Sequence, residues 1–87
     1  FRYPGPLPFS KETTVLMMAD SVEAASRSLK NPDAASIDHL VDSVIDHQME
    51  SGQYINAPVT LRDIEQIKKT FKKMLSSIYH ARIDYPE

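Results

Sequence analysis

The most regular apolar pattern lies in the second half of the chain. Leu61, Ile64, Ile67, Phe71, Met74, Leu75, Ile78 and Tyr79 recur at three- and four-residue steps, one face of a long helix. Thr60 stands just before this run and Asp63 three residues further on, the spacing of a capping box. A helix is predicted over about residues 60–83. A shorter row, Ile37, Leu40, Val41, Val44 and Ile45, reaches on to Gln48 or Met49. It predicts a helix over about 36–51, with Ser36 as its cap and an end near Ser51-Gly52. A further helix is predicted over about 11–30, capped by Ser10, with Glu12 near its positive end and Asn31-Pro32 as its stop. Residues 1–9 hold Pro4, Pro6, Pro8 and Gly5, which favour an extended arm. No strand pattern or repeat is evident. The fold class is all-α: three helices plus an extended Pro-rich N-terminal arm.

The first of these helices differs in kind. Val15, Ala19, Val22, Ser26 and Leu29 form one stripe, while Leu16, Met17 and Ala24 lie on another side. The helix is thus apolar round most of its girth, with Asp20 set into it, as expected of a helix inside a larger protein. A buried ionised carboxylate is costly unless it is paired or holds a metal. Three readings stay open. Asp20 sits on a narrow exposed face with Glu23 and Arg27. Or Asp20 or Glu23 forms a structural ion pair with Arg27, Glu23 being at the favourable i, i+4 spacing. Or Asp20 is a metal ligand or catalytic carboxylate, which would call for further oxygen and imidazole donors. No H-x-x-x-H or Glu-x-x-His pair is present in the chain to supply them.

Composition narrows the classes. The 87 residues suit one small domain. With no cysteine, disulfides and thiolate metal sites are excluded. The net charge of −2 gives no overall basic character, and no DNA partner is expected. No apolar run approaches the roughly 20 residues of a membrane span. Asp38, Asp42, Asp46 and Glu50 form an acidic i, i+4 ladder, answered by Lys68, Lys69, Lys72 and Lys73. Both read as solvated faces, with charge matching between them a minor term. His39, His47 and His80 lack a convergent spacing, and the four methionines read as core fillers. A start at Phe1 and a stop just after Pro86 suggest a piece of a longer protein.

Four segments carry a resemblance: "FRYPGPLPFSKE", "LMMADSVEAASRSL", "TLRDIEQIKKTF" and "IYHARIDYPE". Together they resemble the C-terminal part of the HD-domain phosphohydrolase of bacterial seven-transmembrane HD proteins, a cyclic di-AMP phosphodiesterase family. The resemblance covers essentially all of residues 1–87. It implies two-metal phosphodiester hydrolysis, with manganese or iron held by imidazole and carboxylate. It implies that Asp20 matches the last Asp of the metal set. The His-Asp pair and the other histidine ligands of that family are not in these residues; Asp38-His39 and Asp46-His47 have the reverse order. The piece is therefore expected to hold no metal alone and to be inactive alone.

Tyr3, Lys11, Glu23 and Arg27 are the candidates for substrate contact or for support of the ligand. The resemblance further implies a cyclic dinucleotide as substrate in the parent, which would sit at the cytoplasmic face of the bacterial inner membrane through upstream spans. The piece itself is expected to be soluble, and exposed apolar surface could make it a homo-oligomer. A reading from a different class also stands. It is a small helical interaction or regulatory module that docks a partner through the first helix or the Lys68–Lys73 cluster.

Overall fold

The computed structural model describes residues 9–82, with side chains through Tyr79. It contains α1 (Lys11–Ser26), α2 (Ala34–Glu50) and α3 (Leu61–Arg82), and no strand among the described residues. The arm expected over residues 1–9 lies outside the described residues except for Phe9, which is exposed.

Each helix starts on a local polar device. Ser10 caps α1: its Oγ accepts from the Thr13 N–H (3.2 Å), and Thr13 Oγ1 accepts from the Ser10 N–H (3.3 Å). Thr60 and Asp63 form the predicted reciprocal pair at the start of α3, each backbone N–H donating to the other's side chain at 3.0 Å. The cap of α2 is Asp33 and not Ser36. Its carboxylate accepts from the Ser36 N–H (2.8 Å), so the helix begins at Ala34, two residues earlier than expected. The Asp33 carboxyl is held below its ordinary 3.8, chiefly by that hydrogen bond.

At its other end α1 stops four residues short of the expected Lys30. The hydroxyls of Ser26 and Ser28 bond back to the carbonyls of Glu23 (2.7 Å) and Ala25 (2.9 Å). The backbone tightens to three-residue steps, Arg27 to Ala24, Ser28 to Ala25 and Leu29 to Ser26. Asn31 then takes a left-handed conformation, φ 49°.

The helices run alternately up and down. Lys68 meets Asp46 (2.7 Å) and Lys72 meets Asp42 (2.9 Å), which sets α2 and α3 antiparallel. Lys11 meets Asp63 near the start of α3 (3.3 Å), and the Tyr79 hydroxyl donates to the Ser26 carbonyl near its end (2.6 Å). The first and third helices are therefore parallel, each packed against α2. The core between them is Met17, Met18, Val22, Ile37, Val41, Ile45, Tyr54, Ile64 and Leu75.

Two faces differ from their sequence expectation. On α1 the buried set is Thr14, Met17, Met18, Ser21, Val22 and Ser26, so Val15 and Leu16 point outward. The buried hydroxyls are each satisfied: Thr14 donates to the Ser10 carbonyl, Ser26 to the Glu23 carbonyl, and Ser21 Oγ accepts from Gln48. On α3 the lysine cluster is not one solvated face. Lys68 continues the buried row of Ile64 and Leu75, its side chain only 9 % exposed. Its stem lies in the core while its ammonium reaches Asp46, Asp42 (3.8 Å) and Glu65 (3.6 Å).

Candidate functional site

Asp20 projects from the side of α1 opposite the buried row and is exposed. It makes no ion pair or hydrogen bond with another described residue. Leu16, Glu23 and Arg27 share its face at i−4, i+3 and i+7. Of the three open readings of the sequence, the exposed face is the geometry found, and the ion pair is made by its neighbours. Arg27 Nε and Nη2 donate to the two Glu23 carboxylate oxygens at 2.9 and 3.0 Å. That fork holds the guanidinium pKa above its ordinary value, first through the hydrogen bond and then through the charge.

One turn beyond Asp20, an open cleft of about 690 Å³ lies between the ends of α1 and α3. Glu23, Ser26, Arg27, Lys30, Asn31 and Tyr79 line it. Its two cations, Arg27 and Lys30, stand just past the end of α1, three residues apart in sequence. The remaining candidates fall elsewhere. Lys11 lies nine residues before Asp20, about 13 Å along the axis. It is turned to Asp63, whose carboxyl is lowered by the Thr60 backbone N–H foremost and by Lys11 in addition. Tyr3 lies outside the described residues.

A divalent cation in a hard-oxygen or mixed imidazole site needs several donors. No group of three or more His, Asp or Glu converges among the described residues. The donor set fits one carboxylate of a shared site and does not fit a complete one. Asp20 suits that part: it is exposed, ionisable and uncommitted to any internal partner.

Behind Asp20, buried in the α1–α2 contact, is a polar chain that no spacing along the sequence reveals. Gln48 Nε2 donates to Ser21 Oγ (2.6 Å), and the Tyr54 hydroxyl donates to Gln48 Oε1 (2.6 Å). Both Ser21 and Gln48 are 1 % exposed. Burial, and secondarily the charge of Asp46, pushes the Tyr54 phenol up, so it stays a donor across the accessible pH range. The available signal was a glutamine in the apolar row of α2, a position that demands a buried partner.

No protein-family model matches the chain. Individual proteins do. The cyclic-di-AMP phosphodiesterase PgpH of Bacillus subtilis (strain 168) is 45 % identical over all 87 residues. PgpH of Listeria monocytogenes serotype 1/2a (strain 10403S) is 39 % identical, also over the whole chain. The chain is homologous to PgpH. It spans only 12 % of the length of each of these two proteins. The crystal structure of the L. monocytogenes PgpH HD domain in complex with cyclic-di-AMP superposes with a TM-score of 0.84 at 39 % identity, over 98 % of this chain and 40 % of that one. The three described helices thus match the helical fold of the PgpH HD domain. No described helix is long and apolar enough to cross a membrane.

Proposed function

We propose that this chain is the C-terminal portion of the HD domain of a metal-dependent cyclic di-AMP phosphodiesterase. The carrying observation is the match of nearly the whole chain to the HD domain of PgpH, in a structure that holds cyclic-di-AMP. In this reading the chain supplies one wall of the catalytic cleft and one metal ligand, Asp20. The other donors, imidazoles above all, come from the larger share of the domain that lies outside these residues.

What supports Asp20 is its geometry. Its carboxylate is exposed, lies opposite the core and has no competing cation. A bound manganese or iron ion would supply charge neutralisation and an acidified water to phosphodiester hydrolysis. The residues of this chain do the rest of the local work. Asp20 offers a fixed anionic oxygen on a rigid helix. Glu23 holds the Arg27 guanidinium in one plane, and Arg27 and Lys30 present positive charge to a phosphodiester entering the cleft. Lys11, engaged by Asp63, belongs to helix packing. The parent is held at the cytoplasmic face of the inner membrane by spans outside these residues.

The test is Asp20→Asn in the full-length protein, an almost isosteric change that removes the charge. Hydrolysis of cyclic di-AMP should fall by at least 10²-fold, with the helical circular dichroism unchanged. Hydrolysis at the parent rate would remove Asp20 from the metal set.

A further inference from the structure

The orientation of α1 about its own axis is weakly set by hydrophobic burial. The helix carries Val15, Leu16, Met17, Met18, Ala19, Val22, Ala24 and Ala25, spread round its girth. Val15 and Leu16 are left exposed while Thr14 and Ser21 are buried, so the face turned inward is not the most apolar one the helix has. The burial term is non-directional and does not by itself choose among small rotations. Its two largest core side chains, Met17 and Met18, are also the most adaptable kind.

Contacts at the ends of α1 tolerate rotation. Lys11 is long and exposed, and Tyr79 bonds a backbone carbonyl near the axis. The mid-helix contact is different. Ser21 Oγ is a single atom on a short side chain, and Gln48 Nε2 meets it at 2.6 Å inside the core. Gln48 is itself fixed on its other oxygen by the Tyr54 hydroxyl, which also lies 3.4 Å from the Ile45 carbonyl. No buried side-chain nitrogen or oxygen among the described residues is left without a partner. A fully satisfied buried polar chain specifies geometry in a way apolar packing does not.

Asp20 is the residue before Ser21. We propose that Gln48, braced by Tyr54 and bonded to Ser21, is a positioning residue that fixes the rotation of α1 and so the direction of the Asp20 carboxylate. The inference rests on the reading of Asp20 as a metal ligand. The leverage is geometric. A carboxylate stands about 5–6 Å from its helix axis, so a 20° turn of α1 moves it by roughly 2 Å. A misplacement of about 1 Å at a reacting centre is enough to cost about 10²-fold in rate.

The experiment separates positioning from stability. In the full-length protein, the triple variant Ser21→Ala, Gln48→Leu, Tyr54→Phe removes the whole polar chain at nearly constant volume. No donor or acceptor is stranded, so the protein should melt close to the parent. Its Mn²⁺ affinity, by calorimetry, should nonetheless fall about 10–100-fold, the usual cost of losing support behind a ligand. Cyclic di-AMP hydrolysis should fall mainly in kcat. Parent-like Mn²⁺ affinity and kcat in a folded triple variant would overturn the proposal.

If the triple variant melts early, Ser21→Ala alone decides. It keeps the Gln48–Tyr54 bond and cuts only the link to α1; weakened Mn²⁺ binding supports the lock, and parent-like binding overturns it. Asp20→Asn run alongside tells the two ideas apart. If it abolishes Mn²⁺ binding while the polar-chain variants do not, only the lock fails. If it leaves Mn²⁺ binding intact, the ligand reading fails and the lock falls with it.

Discussion

Lys68 offers a test of what holds α2 to α3. Its stem fills a core position and its ammonium meets Asp46 at 2.7 Å, with Asp42 and Glu65 further off. Burial alone would lower its pKa, but the three carboxylates outweigh that and raise it above the ordinary 10.5. The charged form is therefore favoured by folding. Asp42 and Asp46 are nearly half exposed, so they regain water when the cation is removed. The ion-pair contribution is then about 1 kcal/mol, well short of a dry pair.

The stem contributes more. Truncation to alanine removes three methylenes, about 2 kcal/mol at about 0.8 per buried group. Lys68→Met keeps most of the stem and loses the charge. Urea denaturation of the chain should give a loss of about 1 kcal/mol for Lys68→Met and about 3 for Lys68→Ala. The methionine deficit should shrink in 1 M salt, where exposed carboxylates are screened. The sign with pH follows from the raised pKa. The charge contribution is complete below about pH 10.5 and is lost as pH rises through the folded-state value, so the parent and Lys68→Met converge in strong alkali. An equal loss in the two variants would refute the division, since it would place all the energy in the charge.

Two smaller predictions concern the loops. Gly52 ends α2 at φ 75° with open space where a Cβ would stand, so Gly52→Ala should cost about 1 kcal/mol through backbone strain alone. Gly52→Asn should recover part of that loss in the same urea titration. The lowered pKa of Asp33 means that its cap stabilises above pH 3.8 and is lost as pH falls through the folded-state value. Acid titration of Asp33→Asn by circular dichroism should therefore show a shallower fall in stability below pH 4 than the parent; identical acid limbs would remove the cap from the account.

The sequence was most informative where structure is decided locally. Thr60 and Asp63 lie three residues apart, and their reciprocal bonds need nothing else from the fold. The rows of α2 and much of α3 were legible for a related reason, because one apolar stripe leaves one way to face a core. Asp33 is not legible as the cap because Ser36, the nearer residue to the apolar row, also suits one, and only backbone geometry shows which side chain accepts. On α1 the pattern was ambiguous in principle. Apolar residues all round do not choose a face, and the choice fell to Ser21 and Thr14, polar residues that periodicity places outside. The bond from Ser21 to Gln48 joins residues 27 apart and has no local signature. Lys68 was readable as a core position from its place seven residues before Leu75, yet three neighbouring lysines masked it. For Asp20, spacing left three readings open, and the fold narrowed them by placing it outside with nothing to hold it.

The proposed role of Asp20 is that of one oxygen donor in a metal site completed by the rest of an HD domain. The direct measurement is an anomalous difference map from crystals of the complete HD domain grown with Mn²⁺. A peak is expected at coordination distance, about 2.0–2.5 Å, from the Asp20 carboxylate, with imidazole donors from outside these 87 residues around it. A strong manganese peak elsewhere, with Asp20 free in solvent as it is in this chain, would contradict it.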